Sequence, residues 1–173
     1  MNKLVVLFIL MAAPVSAQTF VESQNLMSRS AVVPTIDAQL EVPGQKVNAF
    51  GWFVASQGWG EGLLGVSKNV TPWLWASIAA GVETDVHPWR VSPSVVVSRG
   101  RVTIFGTTEH GGSGFWYKSV GAVRLTSRIE VGYHTQRFYG TGPIVRVNLN
   151  QKFSVWGSVV KGPQASIGIA KAF

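Results

Sequence analysis

The sequence predicts an all-β protein: a closed, antiparallel, up-and-down transmembrane β-barrel of ten strands, with eight as the rival count. Three observations predict it. From Lys46 onward the chain divides into segments of about nine to twelve residues whose character alternates with period two, separated by turn clusters. The face opposite the apolar one carries mostly Gly, Ala, Ser and Thr with sparse charges, where a solvent-exposed face would be rich in Lys and Glu. No uncharged apolar run reaches the ~18 residues of a spanning helix, and in hydrocarbon a chain without one crosses only as a closed barrel, because every backbone polar group must be bonded internally.

The amino terminus comes first in order. Met1-Asn2-Lys3 precedes an apolar run from Leu4 to Ala13 and the small-residue stretch Pro14-Val15-Ser16-Ala17. This is the layout of a secretory signal peptide, so residues 1–17 are expected to direct export. Residues 18–45, polar and broken by Pro34 and Pro43, read as an irregular arm or lumen insert. The barrel is expected over residues 46–173, with strands at 46–56, 61–68, 73–83, 89–98, 100–109, 115–125, 128–137, 142–149, 153–160 and 164–173. An even count places both ends of the sheet at one rim.

Alternation is cleanest in three segments. Leu74, Ala76, Ile78, Ala80 and Val82 share one face against Trp75, Ser77, Ala79, Gly81 and Glu83. Val91, Val95 and Val97 alternate with Arg90, Ser92, Ser94 and Ser98. Ile129, Val131 and Tyr133 oppose Glu130, Gly132, His134 and Gln136. A soluble barrel that binds a small apolar ligand would show the same periodicity with its faces reversed; the composition of the polar face favours apolar side chains outward.

Composition limits the function classes. The chain has 173 residues, 46% hydrophobic, 11% aromatic and 13% charged, far below the ~25% charge of soluble domains, so disorder is excluded. With no Cys, neither a disulfide scaffold nor a Cys-ligated metal is available. The net charge of +7 lacks a basic cluster or helix-turn-helix pattern, so nucleic acid is not an expected partner.

Charges on the small-residue face must pair if that face is enclosed. Folding the chain about Ser127 sets Arg124 opposite Glu130 and Tyr133 over Gly121; folding about residues 113–114 sets Glu109 opposite Lys118. Glu83 and Arg90 flank the third connection, and Arg146 approaches His134. The expected lumen network is Glu83, Arg90, Arg101, Glu109, Lys118, Arg124, Glu130, His134 and Arg146, a net-basic set that would make any pore anion-preferring. Inward Trp75, Trp116 and Trp156 would leave it narrow and largely filled.

One rim carries a base at each short connection, Lys68, Arg99, Arg128 and Lys152, with Lys46 and Lys171 near the same rim. The other gathers His87, His110, Asp85, Glu109 and Arg137. Ser113, His110 and Glu109 or Asp85 are the one set there from which a nucleophile, base and orienting carboxylate could be drawn for lipid chemistry. The leading expectation is nonetheless non-enzymatic, with neither metal nor other cofactor, since no ligand spacing recurs. Aromatics cluster near strand ends, with Trp73, Phe153 and Phe173 toward one rim and Trp59, Trp89, Phe115, Tyr117, Phe138 and Tyr139 toward the other, as interfacial belts do.

The last segment ends with Ile167, Ile169, Lys171 and Phe173 on one face. In this, and in its leader and alternating strands, the chain resembles the small outer-membrane β-barrels of Gram-negative bacteria. The resemblance is at the level of class and assigns no named family. It implies a place in the outer membrane, contact with outer-membrane lipid, and recognition of Ile167, Ile169 and Phe173 by the barrel-assembly machinery. It also implies a structural or surface-interaction role, or a lipid A or phospholipid-modifying activity at the outer rim. His134-Thr135-Gln136 departs from the His-x-Ser-Asn run of the deacylases among them.

Overall fold

A computed structural model describes residues 19–28, 32–160 and 164–173, so the expected signal peptide lies outside the described residues. Twelve strands are present: β1 (Phe20–Met27), β2 (Val32–Val42), β3 (Asn48–Ser56), β4 (Trp59–Thr71), β5 (Leu74–Glu83), β6 (Trp89–Arg99), β7 (Val102–Gly111), β8 (Gly114–Arg124), β9 (Ile129–Gln136), β10 (Gly140–Asn148), β11 (Phe153–Val160) and β12 (Gln164–Ala172). Each pairs antiparallel with its chain neighbours, and β1 pairs with β12 to close the barrel.

The counts of ten and eight, and the irregular arm over residues 18–45, are therefore corrected. The last ten strands lie within three residues of the expected segments, but that arm supplies the first two. Ile36, Leu40 and Val42 point out while Asp37, Gln39 and Glu41 point in, the same period-two pattern as elsewhere. Pro34 does not break the wall because it lies just outside the β2–β3 ladder, which begins at Thr35↔Ser56. Two added strands keep the count even, so both ends of the sheet still lie at one rim.

The apolar face is outward. Ile78 and Val82 are 55% and 59% exposed, whereas Trp75 on the other face of the same strand is 4% exposed. Val95, Ile129 and Tyr133 are likewise exposed, and Ser92, Ser94 and His134 buried. Such an outer surface belongs against hydrocarbon. Closure also demands close backbone approaches: a Cβ on Gly132 would fall 1.8 Å from the Gly121 carbonyl oxygen. At Gly121 the Tyr133 ring lies across the missing side chain, as the sequence pairing predicts.

Pro93 sits inside β6, where it removes a ladder donor; the β6–β7 bridges skip from Val91↔His110 to Ser94↔Thr107. Side chains repair the gap, with the Ser94 hydroxyl donating to Thr107 Oγ1 at 2.8 Å. Inside the barrel, Phe50, Trp52, Leu63, Trp75 and Ala79 fill the side walled by β3 to β5. Glu41 crosses this greasy layer by accepting from Trp75 Nε1 at 3.1 Å, Asn48 Nδ2 at 2.8 Å and the Ser67 hydroxyl.

Candidate functional site in the barrel lumen

At the rim away from Phe20 and Ala172, the outer end, Arg90 on β6 reaches into a set of carboxylates on β4, β5 and β7. Its Nε donates to Glu61 Oε2 at 3.1 Å and its Nη2 to Glu109 Oε2 at 3.0 Å; Nη1 donates to Ser113 Oγ and the Gly114 carbonyl, both at 3.0 Å, and lies 3.7 Å from Glu83 Oε1. Glu83 also accepts from the Ser113 amide and hydroxyl and from Trp59 Nε1. All four charged side chains are buried. One guanidinium thus serves three acids, which leaves the outer mouth net acidic.

This arrangement corrects one expected pairing. Glu109 faces Trp116 in the β7–β8 register, and Lys118 faces Thr107. The hairpin turns tightly at Gly112-Ser113 rather than about 113–114, and the two-residue slip takes Lys118 away from Glu109. Glu83 and Arg90 do meet, though diagonally, since Arg90 stands opposite Gly81.

Two chambers occupy the lumen. The outer one, about 310 Å³, is lined by the Arg90 cluster with Trp59, Trp116 and Tyr139. The inner one, about 320 Å³, is lined by Glu22, Phe105, Glu130, His134, Arg146 and Trp156. Asp37, Trp52 and Lys118 line both and so mark the junction of the chambers, their waist. Asp37 is on β2 and Lys118 on β8, six strands apart in a ring of twelve, and hence on opposite walls.

Glu130, which lines the inner chamber with Arg146, is flanked from the neighbouring strands by Arg124 and Arg146 at 3.4 and 3.6 Å. The expected Arg124–Glu130 pair is present; Arg146 is committed to Glu130 rather than to His134. His134 is 2% exposed, with Nε2 3.3 Å from Gln136 Oε1 and its ring edge-on to Trp156 at 6.0 Å. Trp156 donates to Glu22 Oε2 at 2.8 Å.

The sign of the lumen charge is the principal correction. Arg101, expected inside, lies in the exposed turn between β6 and β7. Strands β1 to β4 bring in Glu22, Asp37, Glu41 and Glu61, which a ten-strand reading left out or did not place. Seven of the chain's eight acids therefore face the lumen, the exception being Asp85. Among the described residues only Arg90, Lys118, Arg124 and Arg146 oppose them. The lumen is net acidic.

The candidate catalytic set is not assembled. Glu109 points inward while His110, its chain neighbour, points outward and packs edge-on against Trp89 at 5.5 Å. Ser113 Oγ is held between Glu83 and Arg90, and Asp85 caps its own turn by accepting from the His87 amide at 3.1 Å. No group of three His, Asp or Glu residues among the described residues has metal-binding geometry. The aromatic belts are present except that Trp59 and Tyr139 turn into the outer chamber. The residues missed by sequence reasoning are Glu22, Asp37, Glu41, Glu61 and Trp52; the Ile36–Val42 alternation was the signal that would have found two of the acids.

Neither a protein-family model nor a curated protein sequence matches the chain. Solved structures do. A KdgM porin in complex with disordered oligogalacturonate superposes with a TM-score of 0.66 at 7% identity, covering 89% of this chain and 99% of that one. The NanC porin gives 0.57 at 7% identity over 90% and 98% of the two chains. The outer membrane protein Omp33 of Acinetobacter baumannii gives 0.55 at 11% identity over 90% and 98%. The chain shares the β-barrel fold of these outer-membrane proteins. At these identities the likeness concerns the fold.

Proposed function

We propose that this protein is a narrow outer-membrane conduit for small neutral, zwitterionic or cationic solutes. The observation that carries the reading is the pair of chambers meeting at one waist of Asp37, Trp52 and Lys118, within a lumen whose acids outnumber its bases. Its neighbours in fold being porins supports a transport role, but not the ligand of the first of them. An oligogalacturonate is a polyanion, and a net-acidic lumen would repel it.

A filled, purely structural or surface-binding barrel is the rival reading. It is supported by the Phe50–Trp75 layer that closes one side of the interior. The outward Ile167 and Ile169 and the terminal Phe173 support recognition by the assembly machinery under either reading.

Planar-bilayer recording separates the two. A conduit of this kind gives small, discrete current steps, and in a KCl gradient its reversal potential lies on the K⁺ side of zero; Trp52→Ala raises the step size by opening the waist. A bilayer holding folded barrel that passes no current would establish the structural reading, and anion preference would contradict the charge argument.

A further inference from the structure

At the waist stand two charged residues, Asp37 and Lys118, that enter no ion pair among the described residues. Lys118 makes no hydrogen bond or ion pair among the described residues. Asp37 is 3% exposed; its Oδ2 accepts from Gln24 Nε2 at 3.3 Å, and its Oδ1 has no partner. The two face the same two chambers from opposite walls, with no ion pair between them. A carboxylate and an ammonium left unpaired inside a barrel are costly unless water or a ligand completes them. Elsewhere in this lumen Glu61, Glu83 and Glu109 share Arg90, Glu130 lies between Arg124 and Arg146, and Glu22 and Glu41 accept from neutral donors such as Trp156 and Trp75.

We propose that the waist is a binding station for a small zwitterion, of which an α-amino acid is the simplest. Its ammonium sits against Asp37 Oδ1, its carboxylate against Lys118, and its body lies beside Trp52. A simple cation would satisfy Asp37 but be repelled by Lys118; a simple anion meets the converse. Only a ligand carrying both charges completes both walls, and the separation of its charges is set by the barrel's width. The inference rests on the lumen being open to solutes, as in the conduit reading, but binding does not require that solutes pass through.

The test uses the full barrel in detergent micelles, with glycine, β-alanine, methylammonium and acetate as probes in saturation-transfer NMR. Glycine or β-alanine is expected to bind, with the two singly charged probes weaker by about tenfold or more, a factor set by one lost charge-assisted contact. Asp37→Asn and Lys118→Gln should each reduce zwitterion binding about tenfold, and the exchange variant Asp37→Lys with Lys118→Asp should restore it. Heat-dependent gel mobility checks that each variant is folded; if one fails to fold, the other carries the test. Zwitterions binding no better than methylammonium or acetate, or binding unchanged by both variants, would overturn the proposal. Larger bilayer currents in the single variants, with glycine ineffective, would show instead that the pair is a latch holding the waist shut. Conduction without zwitterion binding would leave the conduit standing and remove the station, and binding without conduction the reverse.

Discussion

Arg90 shows what a single residue contributes. Its guanidinium is the shared partner of Glu61, Glu83 and Glu109, all nearly sealed from solvent. Removing one member of such a group leaves uncompensated buried charge, at a cost of roughly 3–5 kcal/mol. Arg90→Met is therefore expected to lower the urea midpoint for unfolding from detergent sharply, whereas Arg128→Met, on an exposed turn, should leave it within error. Equal midpoints for the two would contradict the cluster's role. The glycines offer a paired check. Gly132→Val drives a side chain into a neighbouring backbone carbonyl and should abolish the heat-modifiable folded band, while Gly121→Ala asks only that the Tyr133 ring swing aside and should retain it. At this scale the sequence was readable wherever a local hairpin sets the partner, as for Arg124 with Glu130 and Tyr133 over Gly121. It was not readable for Arg90 with Glu61, because that contact spans two hairpins and depends on the register of both.

Among the elements, β1 and β2 decide the barrel. Without β1 the wall has no partner for β12, and without β2 none for β3. Removing residues 20–42 is therefore expected to give a chain that neither shifts on unheated gels nor resists protease, because two unpaired strand edges in lipid are untenable. A stable ten-strand barrel from the shortened chain would contradict this account. The later strands announced themselves through regular spacing and Gly- or Ser-marked turns; Gly100, at a φ of +62°, makes the tight β6–β7 turn. The first two did not. In β1 the outward face includes Ser23 and Asn25, so its alternation is blurred, and in β2 the prolines at 34 and 43 look like breakers until the ladder positions are known. A strand whose role is to close a ring is defined by its partners more than by its own side chains.

For the whole molecule, the orientation of the faces governs both location and function. The charge of +7 describes the chain but not its interior: the bases sit mainly at the rims, as Lys68, Arg99, Arg128 and Lys152 do, and the acids gather inside. The inward set read from ten strands gave the wrong sign for the lumen because it counted Arg101 and lacked Glu22, Asp37, Glu41 and Glu61, which the closed topology brings inside. The chain has no native cysteine, which makes single-cysteine labelling in lipid vesicles unambiguous. The most direct test places a cysteine in turn at Ile78, Val95, Val131, Ser77 and Ser94, and measures quenching of an attached fluorophore by brominated lipid tails together with reactivity toward a small water-soluble thiol reagent. Labels at 78, 95 and 131 are expected to be quenched, while cysteines at 77 and 94 escape the lipid and react, if at all, only from the aqueous side. Quenching at 77 and 94, with 78, 95 and 131 sheltered from lipid, would turn the barrel inside out and contradict the account.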